Sequence, residues 1–401
     1  MVLGVKITKE RVASIIHFSI LIIAGLSTIL RPSMESKITL FRVILPFLFL
    51  WFYVINTRRA TKLSLILVSF LGYSFLVSFI SRFHTWSLVY NLYYITVIFF
   101  YFYYKEILRI CGAINIYSFL SGLYKAIIIL GLLQHFFGGV YFNTQDRLPA
   151  INIFFWNENE FSAVLAIFTP LYFLKEKKAY KYFWLLLALY LIAFNDAKLA
   201  LLSLIVFFGG YFLIKFKLFK IRYFGFLMLG LLAILTLFFA REYSIRGEFT
   251  IEYFLGRLTE HLISQDPLEH IGTFNSRSNA VILGVKEIIN SYLLGIGPGN
   301  SLIMMDEIVV PGTEAWSALS MHNFTLQLVT EMGVFGLFLI LVFFIKIIQA
   351  STRSAYPSNL VFVFFISCVI SLTLLSGAWS NYFYLFILFY AVDFFGKNVS
   401  N

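Results

Sequence analysis

The sequence predicts an all-α, polytopic membrane protein, and three observations carry that prediction. Hydrophobic residues make up 60% of the 401-residue chain and charged residues only 13%, where soluble domains average about 25% charged. The apolar residues fall in long continuous runs rather than in alternating or helical-face patterns. The basic residues gather in alternate gaps between those runs, which is the positive-inside distribution of a multi-pass protein. No soluble core hides this much apolar surface, so one integral-membrane domain over residues 1–401 is expected.

Twelve spans are expected, at about 12–30, 38–56, 63–81, 86–104, 115–137, 159–174, 182–195, 199–214, 223–240, 323–345, 358–376 and 381–396. The run from Val12 to Leu30 is followed by Arg31-Pro32 rather than by a small-residue cleavage site, so it reads as a retained helix. Several later runs fall short of the ~20 residues of a straight span, which predicts short, tilted or broken helices after Asn159 and Phe194. The basic groups are Lys6, Lys9 and Arg11; Arg58, Arg59 and Lys62; Lys105 and Arg109; Lys175, Lys177, Lys178 and Lys181; Lys215, Lys217, Lys220 and Arg222; and Lys346 and Arg353. They place both termini and every second connection in the cytoplasm. Because these charges are spread over separate loops, the net charge of +11 does not describe a nucleic-acid surface.

Two outer connections are long, about 137–158 and 241–322, the latter much the larger. Within it Ile251, Phe254, Leu255, Leu258 and Leu262 recur at helical spacing, and Ser278 to Tyr292 again carries spaced Val, Ile and Leu. Two amphipathic helices on the outer face are expected, the second broken by Pro298 and its glycines. Two charges fall inside predicted spans, Arg42 and Lys125; each pairs or lines a polar cavity or marks a span boundary that lies elsewhere, and Arg42, about four residues from a span end, can also snorkel. Cys111 and Cys368 lie far apart in apolar surroundings and read as buried thiols.

The stretch from Arg277 to Gly336 is the most informative. It holds an isolated arginine, the turn Gly295-Ile296-Gly297-Pro298-Gly299, and His322 at the point where the chain re-enters an apolar run. The turn follows an apolar helix rather than a strand and lacks the Lys-Ser/Thr of a phosphate loop, so it reads as a tight helix-ending turn. Gly333 and Gly336, at i and i+3, read as close helix packing. His261, His270 and His322 match no zinc-ligand spacing, so no metal is expected.

In order, these motifs resemble the O-antigen ligase/polymerase superfamily over roughly residues 140–350. The resemblance rests on Arg277 followed by Gly295, Gly297 and Gly299; on His322-Asn323 opening a helix that ends in Glu331, Gly333 and Gly336; and on Arg147 before Asn157-Glu158-Asn159-Glu160-Phe161-Ser162-Ala163. The sequence departs from the pattern at Glu158, where proline is common, at Lys198, where an arginine after a serine is usual, and at Val281, where an aromatic is often found. The Lys198 replacement keeps the charge but loses the bidentate fork that fits phosphate.

The resemblance implies an outer-face glycosyltransferase of the bacterial plasma membrane that acts in surface polysaccharide synthesis without metal or cofactor. Its expected partners are a polyprenyl-diphosphate-linked glycan donor, a glycan or lipid-linked acceptor hydroxyl, and membrane lipids. That transfer expels an anionic diphosphate and needs cations near it and a group to receive or orient the acceptor's proton. Arg277 and Arg147 suit the donor phosphates, or are solvated loop arginines or headgroup anchors. Lys198 has the same role or snorkels. His322 is the catalytic candidate, as base or as acceptor-positioning group, or is a cap or interfacial residue. Asn323, Asn159, Glu160 and Glu331 are supporting candidates, Asn323 also as a helix cap. A transporter or flippase of lipid-linked oligosaccharide is the alternative, although the single large outer loop gives the two halves no symmetry.

Overall fold

The computed structural model describes residues 9–25, 62–137, 151, 153, 158–195, 197–216, 272–305, 324–351, 356–372 and 382–396. Its elements are α1 (Lys9–Gly25), α2 (Lys62–Ile80), α3 (His84–Phe137), α4 (Glu158–Lys175), α5 (Lys181–Phe194), α6 (Lys198–Lys215), α7 (Gly272–Asn290), α8 (Asn300–Met305), α9 (Phe324–Ser351), α10 (Ser358–Leu372) and α11 (Tyr382–Gly396). Among the described residues there is no strand. Helices occupy every expected span that falls on described residues; the expected spans 38–56 and 223–240, the helix at 251–262, Arg42, His261 and His270 lie outside them. By length and composition, two helices among the described residues are long and apolar enough to cross a membrane, His84–Phe137 and Lys198–Lys215.

The longest helix, α3, corrects one expectation. The spans expected at 86–104 and 115–137 are not separated by a loop. The helix continues through Lys105 and Arg109 and bends only at Gly112, whose φ of 73° and ψ of 158° interrupt it. The basic residues of this connection are held on helical turns. Lys105 Nζ lies 2.7 Å from both Asp393 carboxylate oxygens on α11, and Arg109 pairs with Glu106.

The core is aromatic and continuous through the bundle. Helix α6 packs along α10, α4 touches α5, α6, α10 and α11, and α11 closes against α1 and α3. Phe100 and Tyr104 of α3 meet Phe386 and Phe389 of α11, while Phe207 of α6 meets Phe364 of α10 at 89°. The two edge-to-face pairs among these, Tyr104–Phe386 and Phe207–Phe364, add about 0.5–1.5 kcal/mol each beyond area burial. Cys111 and Cys368 are both free thiols buried in this core.

Lys125 sits well inside the second segment of α3, yet its Nζ reaches the rings of Tyr172 and Tyr180, at 5.7 and 5.3 Å. It thus extends toward the α4–α5 connection. There Tyr180 donates to Glu176 at 2.7 Å, and this bond pushes the phenol up from its ordinary value. Desolvation works to raise Glu176, but the Tyr180 bond, the Lys178 N–H and the charges of Lys125 and Lys178 hold its carboxyl below the usual range.

Candidate active site

Helix α7 covers the second expected amphipathic segment but starts at Gly272 and ends at Asn290. Pro298 is therefore not what breaks it. Tyr292 and Leu293 adopt φ of 51° and 65° and turn the chain before the glycines are reached. Nor does the helix stand alone: it packs on α8 and α9, with Ile282 and Leu283 buried.

The turn from Gly295 to Gly299 docks on a break in α9. At Gly333 the backbone has φ 63° and ψ −170° and the helix is interrupted. A broken helix leaves carbonyls and amides that require other partners, and the turn supplies them. Ile296 N–H donates to the Thr330 carbonyl at 3.0 Å and Gly297 N–H to the Glu331 carbonyl at 2.9 Å, while Val334 N–H donates to the Leu293 carbonyl at 3.1 Å. This backbone-to-backbone seam explains two of the glycines. A Cβ on Gly333 would collide with the Leu293 carbonyl and the Leu294 backbone, and one on Gly295 would lie 2.6 Å from the Glu331 carbonyl. The close helix packing expected of Gly333 is replaced by this role, because the backbone at that position is not helical.

The turn is also fastened to α2 and α3. Tyr73 donates to the Leu294 carbonyl at 2.7 Å and Trp86 Nε1 to the Gly299 carbonyl at 3.1 Å. A Cβ on Gly297 would sit 2.7 Å from both Ser81 and Ser87. Those serines border a buried polar group in which Asn91 donates to Ser78 Oγ at 2.7 Å, Ser87 donates to Ser78 Oγ at 2.9 Å, and Ser74 donates to Asn91. The connecting end of the α2–α3 hairpin is thus the surface on which the turn rests.

Beneath the turn lies the Glu331 carboxylate, 1% exposed. It accepts hydrogen bonds from Ser301 of α8, from Gln327 one turn earlier on α9 at 2.9 Å, and from Tyr94 of α3 at 3.2 Å. A buried carboxylate is costly unless donors surround it, and here three elements supply them. Sequence reading singled out Glu331 but missed its partners. Gln327 was within reach, since its i−4 spacing puts it on the face of Glu331 in an otherwise apolar helix. Tyr94 carried no signal in so aromatic a chain.

A second polar group lies at the start of α4. Asn195 at the end of α5 accepts from Ile151 N–H at 3.0 Å and donates to the Ile151 carbonyl at 2.8 Å and to Ser162 at 3.3 Å; Gln134 accepts from Ile153 N–H at 2.8 Å. This pins the chain entering α4, whose first turn carries Asn159, half-buried, and Glu160, buried. Lys198 opens α6 three residues beyond Asn195, exposed. A cation at a helix N-terminus is opposed by the helix dipole. Neither Asn195 nor Gln134 was singled out from sequence.

The expected residues thus fall in two groups. Glu331 belongs to the turn-and-break junction, and Asn159, Glu160 and Lys198 to the α4–α6 corner. Arg277 lies on the early turns of α7, about 20 Å of helical rise from the junction. His322 and Asn323 directly precede α9, whose first segment rises about 12 Å before the break; they and Arg147 lie outside the described residues.

Among the described residues the protein is an all-helical bundle of apolar helices with polar groups buried at helix ends and breaks. Residues 183–341 match the family of the O-antigen ligase, which supports the resemblance to the O-antigen ligase/polymerase superfamily drawn from the sequence motifs. The matched segment runs from α5 through the α6 corner, α7 and the glycine turn to beyond the break in α9. No curated protein matches the chain significantly.

Proposed function

We propose that this protein is an outer-face glycosyltransferase that moves a glycan from a polyprenyl-diphosphate donor to the hydroxyl of a glycan or lipid-linked acceptor. The observation that carries the proposal is the junction: it ties the C-terminal end of α7, a helix whose early turns carry Arg277, to the break in α9, a helix that follows His322. Two arms with cationic and proton-handling groups, joined by one rigid backbone seam, suit a reaction that needs fixed placement of a leaving diphosphate and an incoming hydroxyl. Arg277, with Arg147 and Lys198, neutralises the diphosphate; His322 receives or directs the acceptor's proton; Asn323, Asn159, Glu160 and Glu331 support them. Charge neutralisation falls to these side chains, so no metal is required.

In a deletion strain of the host, Arg277→Ala and His322→Ala are expected to reach the membrane at normal level and to restore no more than about a hundredth of the wild-type surface glycan. Wild-type glycan from both variants would refute the assigned site. Lipid-linked donor building up at the outer face of the deletion strain fits transfer, whereas inner-face accumulation indicates a flippase. Chelation of divalent ions should leave transfer by isolated membranes intact, and loss reversed by a single ion would overturn the metal-free reading.

A further inference from the structure

The side-chain bonds at the junction converge on one carboxylate. Glu331 receives the hydroxyl of Ser301 from the helix that follows the turn, the hydroxyl of Tyr94 from α3 and the amide of Gln327 from its own helix. Thr330 Oγ1 and Asn300 Oδ1, on the residues next in the chain to Glu331 and Ser301, are buried and have no hydrogen-bond partner among the described residues. The first α9 segment, which leads from His322, ends at this carboxylate, since the helix is interrupted two residues later. Both carboxylate oxygens face donors, so the group is placed to hold neighbours rather than to take a proton from a substrate.

We infer that Glu331 is a positioning residue: a buried hydrogen-bond hub that locks the glycine turn to α3 and α9 and thereby fixes the arm bearing Arg277 relative to the arm bearing His322. This rests on the reading of those two residues as the reacting site.

The test pairs a functional with a positional readout. Leu293 and Val334, half-exposed neighbours across the seam, are changed to cysteine in the full chain. A short bifunctional thiol reagent is then applied to membranes, the two native cysteines being buried. With Glu331 present the pair crosslinks. Glu331→Ala is expected to reach the membrane, lose most of the crosslink and lower surface glycan in the complemented strain by about tenfold or more, as a misplaced site does. Glu331→Gln, which keeps shape and acceptor oxygen, should recover both to within about threefold.

Absence of the crosslink with Glu331 present, or an unchanged crosslink in Glu331→Ala, overturns the inference. So does full glycan despite a lost crosslink. A firm crosslink in Glu331→Gln with no glycan makes the carboxylate a proton-transfer group instead and also overturns it. If the crosslink behaves as expected but the wild-type chain transfers no glycan, the hub stands and the glycosyltransferase reading falls.

Discussion

The junction at Gly333 and the α6–α10 pair both bring chain segments unusually close, by opposite means. At the junction backbone meets backbone: the obstacles to a Cβ on Gly333 are the Leu293 carbonyl and the Leu294 main chain. Between α6 and α10 backbone meets side chain: a Cβ on Gly210 would lie 2.6 and 2.8 Å from the two methyls of Val363. A methyl moves by a rotamer change or a small helix shift, whereas a hydrogen-bonded carbonyl moves only with its segment. Close approach in the bundle is therefore adjustable, and close approach at the candidate site is not.

Substituting the two glycines tests this contrast most strongly. In Gly333→Ala the positive-φ, extended-ψ backbone costs about 1–3 kcal/mol and the overpacking roughly 1–3 kcal/mol more, and relief requires the turn to leave α9. A fall of several kcal/mol in stability to thermal unfolding in detergent is expected, together with loss of surface glycan. Gly210→Ala meets a similar clash at Val363, but its helical site gains about 1 kcal/mol of propensity. Its net cost should stay below about 2 kcal/mol, with glycan retained. If the two variants lose stability and glycan equally, the distinction between backbone and side-chain contact fails.

The same contrast explains what was legible in the sequence. Helix positions were readable because apolar runs and positive-inside charge act locally; Lys62–Ile80, Lys181–Phe194 and Lys198–Lys215 fall within a residue of expectation. The turn at Gly295–Gly299 was readable as a turn, because only glycines in that density permit it. Its partner was not. That Gly333 breaks α9 depends on φ of 63°, and an isolated glycine in an apolar run signals packing just as well. The bend at Gly112 was hidden for the same reason, since neighbouring Lys105 and Arg109 mimic a loop while being held by Asp393 and Glu106. Candidate residues chosen by charge, Arg277 and Lys198, were visible; Tyr94, Ser301 and Asn195 act through long-range hydrogen bonds that no local pattern encodes.

The smallest expected effect lies on the adjustable side. Ser203 of α6 donates to the Ser367 carbonyl of α10 at 2.9 Å, and the two hydroxyls lie 2.8 Å apart, both residues fully buried. Hydrogen bonds between apolar helices average only about 0.6 kcal/mol, because the separated helices find other partners. Ser203→Ala removes one hydroxyl and leaves Ser367 able to bond within its own helix. A loss near 0.6 kcal/mol in detergent melts is expected, with unchanged surface glycan, because the Gly210–Val363 contact and the Phe207–Phe364 pair still hold the two helices. A loss of several kcal/mol, or any loss of glycan, would mean that the α6–α10 contact has the same intolerance as the Gly333 seam and that the bundle takes part in placing the site.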